Sequence, residues 1–287
     1  PAPGGVNKPV YTNFFSGDTL TPSGSAALYY YISAGISYGS GSGTFSDPWN
    51  AQYGLDYGGV LYALDDGGSY TSGLSLGLGG TELYAYAGDT PTFTSTFTLN
   101  ASNAILADLY FDVVGGNAIE IAGGSNITIS SNTIVSDYFG IYSDVSGSLT
   151  GLTITGNDID IDGTSNGGNP AGGISLTSSG GNISGTITGN DIDAVGDSYT
   201  YGMYLMAANG TIGGTLTNDY QMDITSNLSD AAGMFIMGDT ISGTYGNNST
   251  INVSAPGNAN EIIDAEIAYS LAELNTCLLY TSPSPRD

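Results

Sequence analysis

A short Asn-centred pattern recurs along this chain at intervals too long for a hairpin. Ser131-Asn132-Thr133-Ile134, Gly156-Asn157-Asp158-Ile159 and Gly189-Asn190-Asp191-Ile192 align residue for residue. Thr217-Asn218-Asp219-Tyr220 keeps the Asn, and Asn248 ahead of Ser249-Thr250-Ile251 offers a fifth copy, so the Asn spacings are 25, 33, 28 and 30 residues. Two further ladders share this period. One holds Ala118-Ile119-Glu120-Ile121, Gly140-Ile141-Tyr142, Gly173-Ile174-Ser175-Leu176, Gly202-Met203-Tyr204-Leu205 and Gly233-Met234-Phe235-Ile236. The other holds Asn126-Ile127-Thr128-Ile129, Leu152-Thr153-Ile154, Thr186-Ile187-Thr188 and Thr215-Leu216-Thr217.

All three ladders alternate apolar and polar residues with a period of two, so each repeat contains three short strands. Antiparallel hairpins would need a tight turn between successive strands. Like residues instead return once per repeat, as happens when each strand pairs with its counterpart one coil away, about 4.8 Å along an axis. The expected fold class is all-β: a right-handed, single-stranded parallel β-helix, a solenoid with an inward Ile, Leu, Met and Val core and an N-terminal cap. A repeated Asn at a bend can adopt the left-handed conformation and satisfy turn groups of neighbouring coils. Asn132, Asn157, Asn190, Asn218 and Asn248 are therefore read as a structural ladder.

The expected organisation is an extension or linker over 1–27, a cap and first coils over 28–103, and β-helix coils over 104–260. Residues 261–276 suit either a further coil or an amphipathic helix with Ile263, Ile267, Leu271 and Leu274 on one side. The last segment, 277–287 (CLLYTSPSPRD), resembles the translation of a sequencing adapter and is set aside; it contains the only Cys and the only Arg. The natural protein is expected to continue past Thr276, and any export signal to have preceded Pro1.

Charge narrows the partners. Lys8 and Arg286 are the only basic residues against 27 Asp plus Glu, a formal charge of −25. Such a surface repels phosphate backbones and anionic lipids, which argues against nucleic acid as a partner. No apolar run approaches the roughly 20 residues of a membrane span. A hydrophobic content of 40% is too high for a disordered acidic tail.

The N-terminal third has its own motifs: a strand Tyr29-Tyr30-Tyr31-Ile32-Ser33, the loop Gly43-Thr44-Phe45-Ser46-Asp47-Pro48-Trp49, a short helix over Ala51 to Tyr57, and the turn Gly67-Gly68-Ser69-Tyr70. This order resembles the opening of secreted pectate-lyase-like β-helix proteins over residues 28–93. The resemblance implies a helix that caps the open end of the solenoid and an extracellular setting. That family includes polysaccharide lyases and polygalacturonase-like hydrolases. A lyase of that kind needs a Lys or Arg base near calcium, and the hydrolases add His and Arg around their aspartates. Here Lys8 lies outside the coils and His is absent, so no catalytic residue carries over.

Carboxylates and aromatics remain. Alternation turns Asp158, Asp160 and Asp162 outward, the next coil repeats Asp191 and Asp193, and the one after offers Asp219. Stacked carboxylates repel by roughly 1 kcal/mol per pair in water-like surroundings, and Ca²⁺ would relieve this. Asp158, Asp160, Asp191 and Asp193 are thus candidate calcium ligands; the alternatives are a solvated acidic face, or an acid/base pair of the glycoside-hydrolase type. Tyr138, Tyr142, Tyr199, Tyr201 and Tyr204 lie beside the longest insertions, 162–172 and 195–201, and are candidate contacts for a polysaccharide or cell-surface glycan. The other reading of these rings is stacking that stiffens the sheet. Missing catalytic bases point to a non-catalytic extracellular domain of a bacterial surface or secreted adhesin, a rigid spacer with a carbohydrate-contacting face. The rivals are a polysaccharide-active lyase or hydrolase whose catalytic coils lie elsewhere, and a phage tail-spike-like fibre.

Overall fold

The structure, a computed structural model, describes residues 29–66, 68–218, 220–247 and 249–266. Every strand pairing between coils is parallel, and the chain is a parallel β-helix. The first ladder runs through Leu74–Leu76, Phe97–Asn100, Ile119–Gly123, Phe139–Val145 and Ala171–Ser178. The second includes Tyr29–Ser33, Val60–Ala63, Glu82–Ala85, Ile105–Ala107, Thr128–Ser130, Leu149–Thr155 and Ile183–Thr188. Two long strands, Thr200–Asn218 and Ala231–Asn247, bend through both ladders and join them into one 16-stranded sheet. The third ladder, from Thr92–Phe93 to Ile251–Ser254, is a separate 7-stranded sheet. The strand Ala259–Glu266 pairs with Ala231–Asn247, so the ambiguous stretch begins as a further coil up to residue 266.

Register explains the core. In the third ladder Tyr70, Phe93, Phe111, Ile134, Ile159, Ile192, Met222 and Ile251 form one inward column, each opposite the next. The column changes from rings to aliphatic chains along the axis. Tyr70 stacks on Phe93 at 4.5 Å and Phe93 on Phe111 at 5.2 Å. Tyr70, the last residue of the Gly-Gly-Ser-Tyr turn, is buried, and its hydroxyl lies 3.0 Å from the Ile32 carbonyl and 3.1 Å from that of Leu64. Burial drives its pKa well above the ordinary phenol value.

The cap is built from the loop and helix of the N-terminal motif. Asn50 caps the helix Ala51–Tyr57 by accepting from the Tyr53 amide at 3.2 Å, and Leu55 is fully buried against the end of the coils. Trp49 is buried and stacks on Tyr30 at 4.2 Å. Gly43 has φ +76°, and a β-carbon there would come within 2.8 Å of both rings, which is why glycine opens that loop.

The Asn ladder is a buried hydrogen-bond column over the described copies. Asn132, Asn157 and Asn190 are at most 4% exposed. The Asn157 Oδ1 accepts from the backbone N–H of Asn132 (3.1 Å) and from its Nδ2 (3.0 Å); the Asn190 Oδ1 does the same for Asn157 (3.1 and 2.8 Å). Each Nδ2 also donates to a carbonyl of the second ladder, at Leu106, Ile129 and Ile154. The left-handed conformation, expected on the Asn, falls instead on the residue before it: Ser131, Gly156 and Gly189 have φ 56°, 65° and 66°. That residue makes the bend, and the Asn following it points inward. Asn218 ends its strand opposite Asn247. It stands two residues past Leu216, whereas Asn190 stands three past Ile187, the partner of Leu216, so Asn218 falls one position short of the column. The side chain of Asn218, all of Asn248, and the segments 1–27 and 277–287 lie outside the described residues.

Replacing Asn157 by Ala removes the acceptor of two buried donors on Asn132. A loss of about 2–5 kcal/mol follows if each orphaned group costs its usual desolvation penalty. Urea unfolding followed by circular dichroism should show it, and a loss below about 1 kcal/mol would mean that the ladder is not a stabilising column.

Candidate functional site

The outward side of the third ladder is acidic. Asp158 lies opposite Asp191, and Asp160 opposite Asp193, which in turn lies opposite Asp223. Sequence reading placed Asp219 at the third level; the register gives that place to Asp223. The alternation Met222-Asp223-Ile224, matching Ile192-Asp193-Ala194, is the signal that would have found it. Asn252 closes the column, its Nδ2 donating to the Asp223 Oδ1 at 2.5 Å, while Gln221 Nε2 donates to the other oxygen. Partial burial, and then the charges of Asp160, Asp223 and Asp191, raise the pKa of Asp193. Asp191 is raised by burial and by Asp158 and Asp223.

These carboxylates do not form the calcium cage expected for Asp158, Asp160, Asp191 and Asp193. Among the described residues no group of three or more acidic side chains is gathered closely enough to hold a metal ion. Parallel in-register strands set the side chains side by side instead of converging them on one point. Both basic residues of the chain lie outside the described region, so no described cation offsets the column.

The five tyrosines divide between two coils. Tyr142 stacks on Phe139 at 5.5 Å. Two coils on, Tyr204 stacks on Phe235 at 4.9 Å and 5°, with Tyr201 at 5.0 Å from Tyr204 and 6.2 Å from Phe235. The coil between presents Gly172 opposite Phe139 and Tyr201, and Ser175 opposite Tyr142 and Tyr204. Burial, with the charges of neighbouring groups, pushes the Tyr201 pKa up to about 12, so its hydroxyl keeps its proton. Tyr199 is 47% exposed. Tyr138 is half-buried beneath the longest insertion and donates to the Asn166 carbonyl at 3.4 Å. Asn166 pins that insertion: it is buried, its Nδ2 donates to the Asp137 carbonyl, and its Oδ1 accepts from the Asn169 amide at 3.0 Å. Phe139 and Phe235 belong to this surface, and sequence reading missed them because it searched for Tyr alone.

A second aromatic cluster was also missed. On the outer side of the second ladder, Tyr31, Tyr62 and Tyr84 stand opposite one another on successive coils, with ring centres 6.0 Å apart at each step. Tyr29 joins at 5.8 Å from Tyr62, and Tyr86 and Phe45 join at 5.6 and 5.5 Å from Tyr31. Only the coil register, which brings residues about twenty to thirty positions apart into one column, reveals this grouping.

No family profile, curated protein or solved structure matches the chain.

The acidic column carries a pH signature. A carboxyl whose folded pKa lies above its unfolded value holds its proton more tightly in the folded state. Asp191 and Asp193 therefore penalise the fold at neutral pH, and the penalty fades as pH falls through their raised values toward the ordinary Asp value near 4. Asp162, lowered by hydrogen bonds from Thr164, acts in the opposite sense, and its contribution is lost only below that window. Asp193→Asn should raise the melting temperature at pH 7, by the equivalent of about 1 kcal/mol, and reduce the gain seen on acidification. An unchanged melting temperature at pH 7 would show that the column is fully screened.

Proposed function

We propose that this chain is a non-catalytic extracellular domain of a surface or secreted adhesin-like protein, of pectate-lyase-like β-helix character. In this reading it acts as a rigid spacer and as a face that contacts carbohydrate. The observation that carries the reading is the aromatic surface of the first ladder. Tyr142 with Phe139, and two coils on Tyr201, Tyr204 and Phe235, project outward from one side of a stiff scaffold, next to the longest loop. Ring faces stack on sugar faces, and phenol groups that stay protonated can donate to sugar hydroxyls. Parallel coils, each pinned to the next by backbone bonds and the buried Asn column, support the spacer role. The net charge of −25 favours uncharged glycans over anionic ones.

The domain should retain neutral glycans on an array, without releasing reducing or unsaturated sugars from the same polysaccharides. Replacing Tyr204 and Phe235 together by Ala should abolish that retention while leaving the circular dichroism spectrum intact. Sugar release that disappears in Asp160→Asn with Asp193→Asn would replace this reading with an enzymatic one.

A further inference from the structure

The outer side of the second ladder changes character after its aromatic coils. Beyond Ile105 and Ala107, the outward positions become Thr128 and Ser130, then Thr153 and Thr155, then Thr186 and Thr188, each residue opposite its counterpart one coil away. Thr215 and Thr244 continue the first of these columns for two more coils. The pairing from Thr128 to Thr244 runs without a register slip at these positions, so the hydroxyls occupy a two-dimensional grid. Its spacings are set by the sheet: about 4.8 Å between coils, and roughly 6.6–6.8 Å between alternate residues of one strand.

Three observations distinguish this grid from an ordinary solvated sheet. The side-chain hydroxyls of Thr128, Ser130, Thr153, Thr155, Thr186 and Thr188 make no hydrogen bond to a described protein group, whereas the buried hydroxyls of Ser143, Thr81 and Ser178 all do. No carboxylate occupies a grid position, although the chain holds 27 acids and the neighbouring third ladder is lined with Asp. The chain immediately behind the grid is locked: Ile129, Ile154 and Ile187 are buried between the Thr positions. χ1 of a β-branched side chain is stiff, so each threonine offers one methyl and one hydroxyl in a fixed direction.

We infer that this face binds ice. An uncharged array of methyl and hydroxyl groups, repeating in two directions at distances close to those of water's own hydrogen-bonded lattice, can hold surface water in an ordered layer that merges with a growing crystal. Charged groups would impose their own hydration pattern, and their exclusion from this one face fits the requirement. The rigid inter-coil register supplies a repeat that no loop could maintain. This face is distinct from the aromatic surface of the first ladder, so the two readings stand or fall separately.

The test uses the full chain with nanolitre osmometry, ice-recrystallisation assays and partition of fluorescently labelled protein into a growing ice hemisphere. The wild type should shape crystals and partition into ice. Thr186→Lys, a bulky charge at the centre of the grid, should lose most of that activity with an unchanged melting temperature, and Tyr204→Ala should keep it. Ice growth unaffected by the wild type, or full activity in Thr186→Lys, would overturn the inference. Retention on crystalline cellulose without partition into ice would also overturn it, assigning the grid to an ordered polysaccharide surface.

Discussion

Everything in this molecule rests on parallel pairing between coils with like residues in register. A single coil has too little apolar surface to bury a core of its own. Stacking turns Ile134, Ile159 and Ile192 from isolated side chains into one continuous filling. The same register that buries the isoleucines aligns the asparagines of the adjoining turn. Their amides then hydrogen-bond along the axis, and the carbonyls and N–H groups that the bends would leave bare find partners. Apolar columns and the amide column support each other, because a slip of one residue would break both.

Stacking of like on like has a cost where the repeated residue is charged. On the third ladder it lines up Asp160, Asp193 and Asp223, and the fold tolerates this by leaving them largely in solvent and closing the column with Asn252 and Gln221. On the first ladder the same geometry stacks Tyr204 on Phe235, which is favourable. On the second it gives a tyrosine column followed by a hydroxyl grid. One scaffold thus presents three chemically different faces, and the acidic one keeps the other two from attracting anionic partners.

The repeat was legible because burial on one face imposes strict alternation, and Ile, Leu and Met kept to it coil after coil. The cap was legible through Asn50, Gly43 and Trp49, whose roles are local. The bend was read one residue away from its true place: Asn tolerates the left-handed region, but with Ser131, Gly156 or Gly189 making the turn, the Asn is free to point inward. Asn218 looked like a ladder member by its neighbours, yet the pairing of Leu216 with Ile187 sets it one position short. The calcium expectation assumed that outward carboxylates on adjacent coils would surround a point, and parallel strands do not bring them together in that way.

By itself the sequence determined the coil period, the inward residues and the capping helix. All of these follow from side-chain type and local spacing. Only the tertiary structure decided which residues of different coils face one another: Asp223 rather than Asp219 below Asp193, Phe235 against Tyr204, Tyr31 over Tyr62 over Tyr84, and threonines in rows. Loop lengths differ from coil to coil, so sequence distance does not reveal register; the hydrogen bonds between coils do.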